Sequence, residues 1–190
     1  NTMPVNIGNR GTIVRYNISI NDGLRATGKH AGFSPAFHIS GDLRNTRIYN
    51  NLIYIPRKPD PAIDRTLLKM DNWGNGWPEY TQFLNNIFYA EEQVEYDYGG
   101  ATNTVFSHNL YFGEHRDRPD DPNAVLSDPL FVDPGDIPES RENLDGYKLH
   151  KSSPCINAGL RVEADPGTDF WGESVPAGFR VDIGPREYPQ

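Results

Sequence analysis

The run "TRIYNNLIYIP", residues 46–56, decides how the chain folds. Its flanks read as strands: Ile48 and Tyr49 on one side, Leu52, Ile53, Tyr54 and Ile55 on the other. Between them stand Asn50 and Asn51, a residue type that pleated strands disfavour. "TQFLNNIFYA" (residues 81–90) repeats the arrangement, and "TVFSHNLYFG" (104–113) and "VRYNISI" (14–20) keep its second asparagine. Aligned on that position, Asn17, Asn51, Asn86 and Asn109 fall 34, 35 and 23 residues apart. A fixed local pattern with irregular spacing is what stacked coils with unequal loops produce.

Each half of the pattern reads as a short strand, with the asparagine at a corner where its tolerance of left-handed backbone angles allows a one-residue bend. Coils stacked at the strand spacing of about 4.8 Å would stack the amides too, each donating to one neighbour and accepting from the other. A further strand-like run precedes three of the corners: "AFHIS" (36–40), "TLLKMD" (66–71) and "VEYDY" (94–98). Each coil thus reads as strand, connection, strand, asparagine corner, strand, variable loop.

Composition agrees. The chain has 190 residues, enough for one domain with a core. Its 18 glycines, 16 prolines and 12% aromatics suit many short strands joined by turns. A net charge of −8 argues against nucleic acid or an anionic membrane surface as the main partner. No apolar run is long enough to span a bilayer. Cys155 is the one cysteine, which excludes an intramolecular disulfide and reads as a small buried residue.

These repeats resemble those of right-handed parallel β-helix proteins, the pectate-lyase-like superfamily. The resemblance implies an all-β, single-stranded parallel β-helix with three strands per coil, an asparagine ladder and an irregular C-terminal cap. Residues 1–11 then form a lead-in, 12–127 the coils, and 128–190 a closing coil and cap. "SDPLFVDPG", "YKLHKSSPCINAG" and "DFWGESVPAGFRVDIGPREY" resemble the closing segment of bacterial secreted members, where it covers the open edge of the last coil. "TIVRYNISI" matches the second and third strands of a coil, so residues 1–10, upstream coils or another chain are expected to cover that end. The resemblance further implies a secreted or periplasmic location and a polysaccharide or oligosaccharide partner. Residues 1–11 themselves show no basic and then apolar leader.

In the superfamily, substrate lies along the outer face of the first strand of each coil. Alternation sends Phe37, Ile39, Leu68, Met70, Val94, Tyr96 and Tyr98 inward. His38 and Ser40, Lys69 and Asp71, and Glu95 and Asp97 are left outside on three successive coils. A lysine among acids beside a histidine suits proton transfer, with Lys69 or His38 as the base of a lyase. Asp71 with Glu95 or Asp97 would instead make the carboxyl pair of an inverting hydrolase, about 6.5–9.5 Å apart. Trp73 and Trp77 in "DNWGNGWPEY" offer flat faces for sugar stacking, one of the two being expected to plug its own coil. Arg25, Lys29 and His30, in a basic loop of an acidic chain, suit a substrate carboxylate or sulfate. Calcium is the metal to weigh: Asp117, Asp120 and Asp121, and Glu163, Asp165 and Asp169, supply oxygens, but neither run has the spacing of a known calcium loop. Three readings stand at this point: a lyase or glycoside hydrolase, a non-catalytic glycan-binding module, and a structural solenoid.

Overall fold

Asn50 and Asn51 divide the work at the corner between their strands. Asn50 takes the left-handed backbone conformation (φ 52°), as do Tyr16, Asn85 and His108 at the equivalent positions. Asn51 supplies the stacked amide. The sequence reading gave both tasks to the second residue; the bend belongs to the first. A tyrosine and a histidine can serve there because that position needs only one tolerated angle.

The computed structural model describes residues 8–23, 25, 27–33, 35–57, 65–73, 76–135, 144–163 and 167–189. Most of the lead-in, residues 1–7, lies outside them. Among the described residues eleven short strands are present: β1 (Ile13–Arg15), β2 (Ile18–Ile20), β3 (Pro35–Ser40), β4 (Arg47–Tyr49), β5 (Leu52–Ile55), β6 (Thr66–Asp71), β7 (Gln82–Leu84), β8 (Ile87–Ala90), β9 (Glu95–Asp97), β10 (Val105–Ser107) and β11 (Leu110–Phe112). Among the described residues, helix is limited to one 3₁₀ turn at Asp145–Tyr147.

The strands form three sheets, ordered β1-β4-β7-β10, β2-β5-β8-β11 and β3-β6-β9, and every pair is parallel. The chain visits the third sheet, then the first, then the second, and repeats the circuit. Such an all-β arrangement is compatible with a parallel β-helix. One buried cluster draws on all three sheets, with Ile39, Leu68 and Met70 from the third, Ile48, Phe83 and Phe106 from the first, and Ile53 and Phe88 from the second. Phe83 and Phe106, register partners on adjacent strands, stack with centroids 4.6 Å apart. Tyr96 joins this core by donating its hydroxyl to His115 Nδ1 at 2.8 Å, while His115 Nε2 donates to the Phe112 carbonyl.

The ladder is continuous and directional. Asn17 Nδ2 donates to Asn51 Oδ1, Asn51 Nδ2 to Asn86 Oδ1, and Asn86 Nδ2 to Asn109 Oδ1, at 2.9, 2.9 and 3.0 Å. The same oxygens accept the backbone N–H of the preceding rung. Asn109 then meets Asp121, 5% exposed, whose carboxylate accepts from Asn109 N and Nδ2, His108 N and Asn123 N. A last rung needs acceptors alone, and a carboxylate supplies nothing else.

The C-terminal tail covers the second sheet. Its described residues run along the outer face of the second sheet, where Leu52, Tyr54, Ile87 and Leu110 pack with Phe131, Tyr147, Leu149, Cys155 and Ile183. Asn50 Nδ2 donates to the carbonyls of Asp182 and Gly184, and Asn85 exchanges hydrogen bonds with Leu160 in both directions. The first asparagine of each pair therefore ties the tail to the corner. Buried acids knit the tail itself: Glu187 accepts the amides of Ala177 and Asp182, Asp182 those of Asn157 and Tyr188, and Asp169 those of Trp171, Glu173 and Glu187.

Candidate functional site

On the outer face of the third sheet, register sets which side chains meet. His38, Lys69 and Asp97 are direct partners across β3, β6 and β9, and Ser40 partners Asp71. Between Thr66 and Leu68 the pairing slips, so Leu67 is an extra residue of β6 and is buried beside Leu68. This bulge brings Lys69 opposite Asp97 and leaves Glu95 opposite Thr66.

Asp71 is the hub. Its Oδ2 lies 2.6 Å from His38 Nε2, and its Oδ1 accepts the Ser40 hydroxyl at 2.5 Å and the Trp73 amide at 3.1 Å. Partial burial works against its charge, but the bonds from Ser40, His38 and Trp73 outweigh it and hold the carboxyl below its ordinary range. An ionised Asp71 can only accept, so His38 Nε2 carries a proton, and in the uncharged form of the ring the lone pair is on Nδ1. The Ser40 proton is directed to Asp71 and not to the imidazole, which sets this arrangement apart from a serine nucleophile served by a histidine base.

The imidazole sits between two aromatic rings, Phe33 at 5.4 Å nearly edge-on and Trp73 at 6.1 Å tilted by 31°. Trp73 is 79% exposed. With Arg25, His30, Asp71 and Asn72 these three rings line a cavity of about 580 Å³. The Arg25 guanidinium lies over the Phe33 ring, 5.7 Å from its centre. The cavity thus combines an oriented imidazole, an exposed indole and a cation, the mixture of flat apolar surface and few polar groups that small-ligand sites carry.

The other expected site residues are occupied with one another. The Lys69 ammonium is paired with Asp97, whose second oxygen accepts the Gly99 amide. The bond from Lys69 holds the Asp97 carboxyl below its usual range, against a smaller opposing effect of burial. Glu95 is bound by Arg116 Nη1 at 2.9 Å. Asp71, Glu95 and Asp97 therefore each have a cationic or hydrogen-bonding partner. Trp77 is the plug: its half-buried indole lies on Gly99 and Gly100, where an added Cβ would come within 2.2 and 2.7 Å of the ring. Lys29 is exposed and does not line the cavity, although Arg25 and His30 from the same loop do.

Of the acids weighed for calcium, Asp121 and Asp169 each have both carboxylate oxygens accepting from N–H donors. Asp165 lies outside the described residues. Among the described residues no group of three or more histidine, cysteine or acidic side chains could hold a metal ion. Phe33 and Asn72 were not singled out from sequence. The signal for Phe33 was present: it is the lone aromatic of the loop "NDGLRATGKHAGFSP". Compared with known proteins, the chain matches no family model, and no curated protein is significantly similar to it.

Proposed function

We propose that the chain is a right-handed parallel β-helix acting on an acidic polysaccharide, with His38 as the base of an elimination reaction. The observation that carries this reading is the His38–Asp71 pair, which leaves Nδ1 free in a cavity walled by exposed Trp73 and reached by Arg25. In such a step Nδ1 takes the proton beside a uronate carboxyl, the C–O bond to the next sugar breaks, and a C=C bond forms. The departing oxygen then takes up a proton. Arg25 and His30 offset charge growing on the carboxylate, and Trp73 stacks on the sugar ring.

Hydrolysis is the weaker reading, because it needs two carboxyl groups free to act as acid and base, and Asp71, Glu95 and Asp97 are each engaged. A non-catalytic glycan-binding module is the second reading. It is favoured by the mutual neutralisation of Lys69 with Asp97 and of Glu95 with Arg116. A polysaccharide substrate places the site of action outside the cytoplasm, secreted or periplasmic.

The test is incubation with pectate, alginate, glucuronan, xylan and sulfated polysaccharides, followed by ultraviolet absorbance and by reducing ends. Unsaturated product that disappears with His38→Ala supports elimination. Reducing ends without new absorbance would replace it with hydrolysis. Binding without either product would leave the glycan-binding module.

A further inference from the structure

Away from the third sheet, a second cavity of about 320 Å³ opens where the tail meets the corner between β10 and β11. His108, the corner residue, forms one wall, and residues 159–161, Pro176 and residues 179–181 of the tail contribute the rest. Three features set it apart. Phe179 is 99% exposed, the most exposed of the large apolar side chains described. Arg161 and Arg180 are both exposed, and among the described residues neither has an acidic partner. The residues lining the cavity include no carboxylate, in a chain with 26 acids against 18 lysines and arginines.

Two uncompensated guanidiniums and an uncovered ring serve no packing role that the fold requires. Arginine grips carboxylates and sulfates through paired N–H donors, and an exposed ring supplies the flat face on which a sugar's C–H groups rest. A concave space of this volume suits a sugar unit or two better than the flat surface used by a folded partner.

We infer that this cavity is an accessory binding site for an acidic saccharide, with Arg161 and Arg180 on its carboxylate or sulfate and Phe179 against its ring. The saccharide class rests on the function proposed above; the anionic requirement rests on the cavity alone. His108 completes the wall, its Nδ1 held by Ser107 Oγ at 2.8 Å. The site is separate from the His38 cavity, so it anchors a polymer without touching the reacting bond.

The experiment is a titration of the ¹⁵N-labelled protein with uronate hexasaccharides, sulfated hexasaccharides, a neutral hexasaccharide, inorganic sulfate and a polyglutamate peptide. Shifts of the Gly159, Arg161 and Phe179 amides with an acidic saccharide, absent with the neutral one, are expected. Arg161→Ala with Arg180→Ala should weaken that binding about tenfold or more, as loss of charge-assisted bonds does. Phe179→Ala should weaken it less, and His38→Ala should leave it unchanged. Shifts confined to the His38 cavity would overturn the accessory site and leave the proposed function standing. Silence at both cavities would overturn both. Equal or tighter binding of the peptide, or of inorganic sulfate, would overturn the saccharide assignment.

Discussion

Two rows of polar side chains cross successive turns of this chain, and they differ in almost every physical respect. From Asn51 to Asn109 the asparagine ladder is buried, and throughout it is neutral and uniform: each Nδ2 donates to the next rung, the last to Asp121. The row on the outer face of the third sheet is half-exposed and mixed, with His38, Lys69 and Asp97 in register and Asp71 bonded diagonally to His38. Strand spacing is the same in both. Where identical groups repeat at that spacing, the row provides cohesion. Where unlike groups meet, their charges and protons are set against one another, which is what the proposed proton transfer draws on.

The comparison can be broken at either row. The largest effect is expected at the outer face: Asp71→Asn keeps its oxygen on Ser40 and Trp73, turns an N–H donor toward His38 and so reverses the tautomer, which should cut kcat of the proposed elimination about 10²–10⁴-fold. Thermal unfolding should move little and KM should hardly change. A rate unaffected by this substitution would remove the pair from the chemistry. In the ladder, Asn86→Ala deletes a rung and strands donors of Asn51 and acceptors of Asn109 and Ile48. Buried polar groups left unpaired should cost about 3 kcal/mol in urea unfolding, and a loss under about 1 kcal/mol would mean water fills the gap.

A third row, the acids of the tail, sharpens the contrast through pH. Glu187 is 1% exposed, and burial, with Asp182 and Asp169 nearby, pushes its pKa from 4.5 up to about 7 against two backbone amides. Burial raises Asp182 as well. A raised carboxyl holds its proton more tightly when folded, so its contribution is full below about 4.5 and is lost as pH climbs through about 7. Unfolding free energy should therefore fall by about 2–3 kcal/mol between pH 4.5 and pH 8, and Glu187→Gln should flatten that slope. A slope of opposite sign would show that the amides, and not burial, govern the group. The smallest effects separate the two indoles. Trp77→Ala should lose about 1–2 kcal/mol of stability and no binding, whereas Trp73→Ala should lose a few-fold in glycan affinity and no stability.

The ladder was legible because repetition is visible in a string of letters. Asn17, Asn51, Asn86 and Asn109 announce themselves, and the alternation in "AFHIS" and "LLKMD" correctly turned Ile39, Leu68 and Met70 inward. The partners on the outer face were not legible, since the bulge at Leu67 and the diagonal bond from His38 to Asp71 depend on register, which leaves no mark in composition. The cover that the tail gives the second sheet left a trace of another kind. Leu52, Ile53, Tyr54 and Ile55 are all buried, and a strand apolar on both faces signals a cover on its outer side. That signal stood in the sequence.

Asp121 turns the polarity of the ladder into a rule of grammar. An asparagine rung accepts on one side and donates on the other, so any interior turn could be copied or deleted and the sentence would still parse. The aspartate accepts from four directions and offers no proton onward. It is a full stop: a turn added beyond it would find no donor to read, and lengthening this architecture means inserting clauses ahead of Asp121 and never after it.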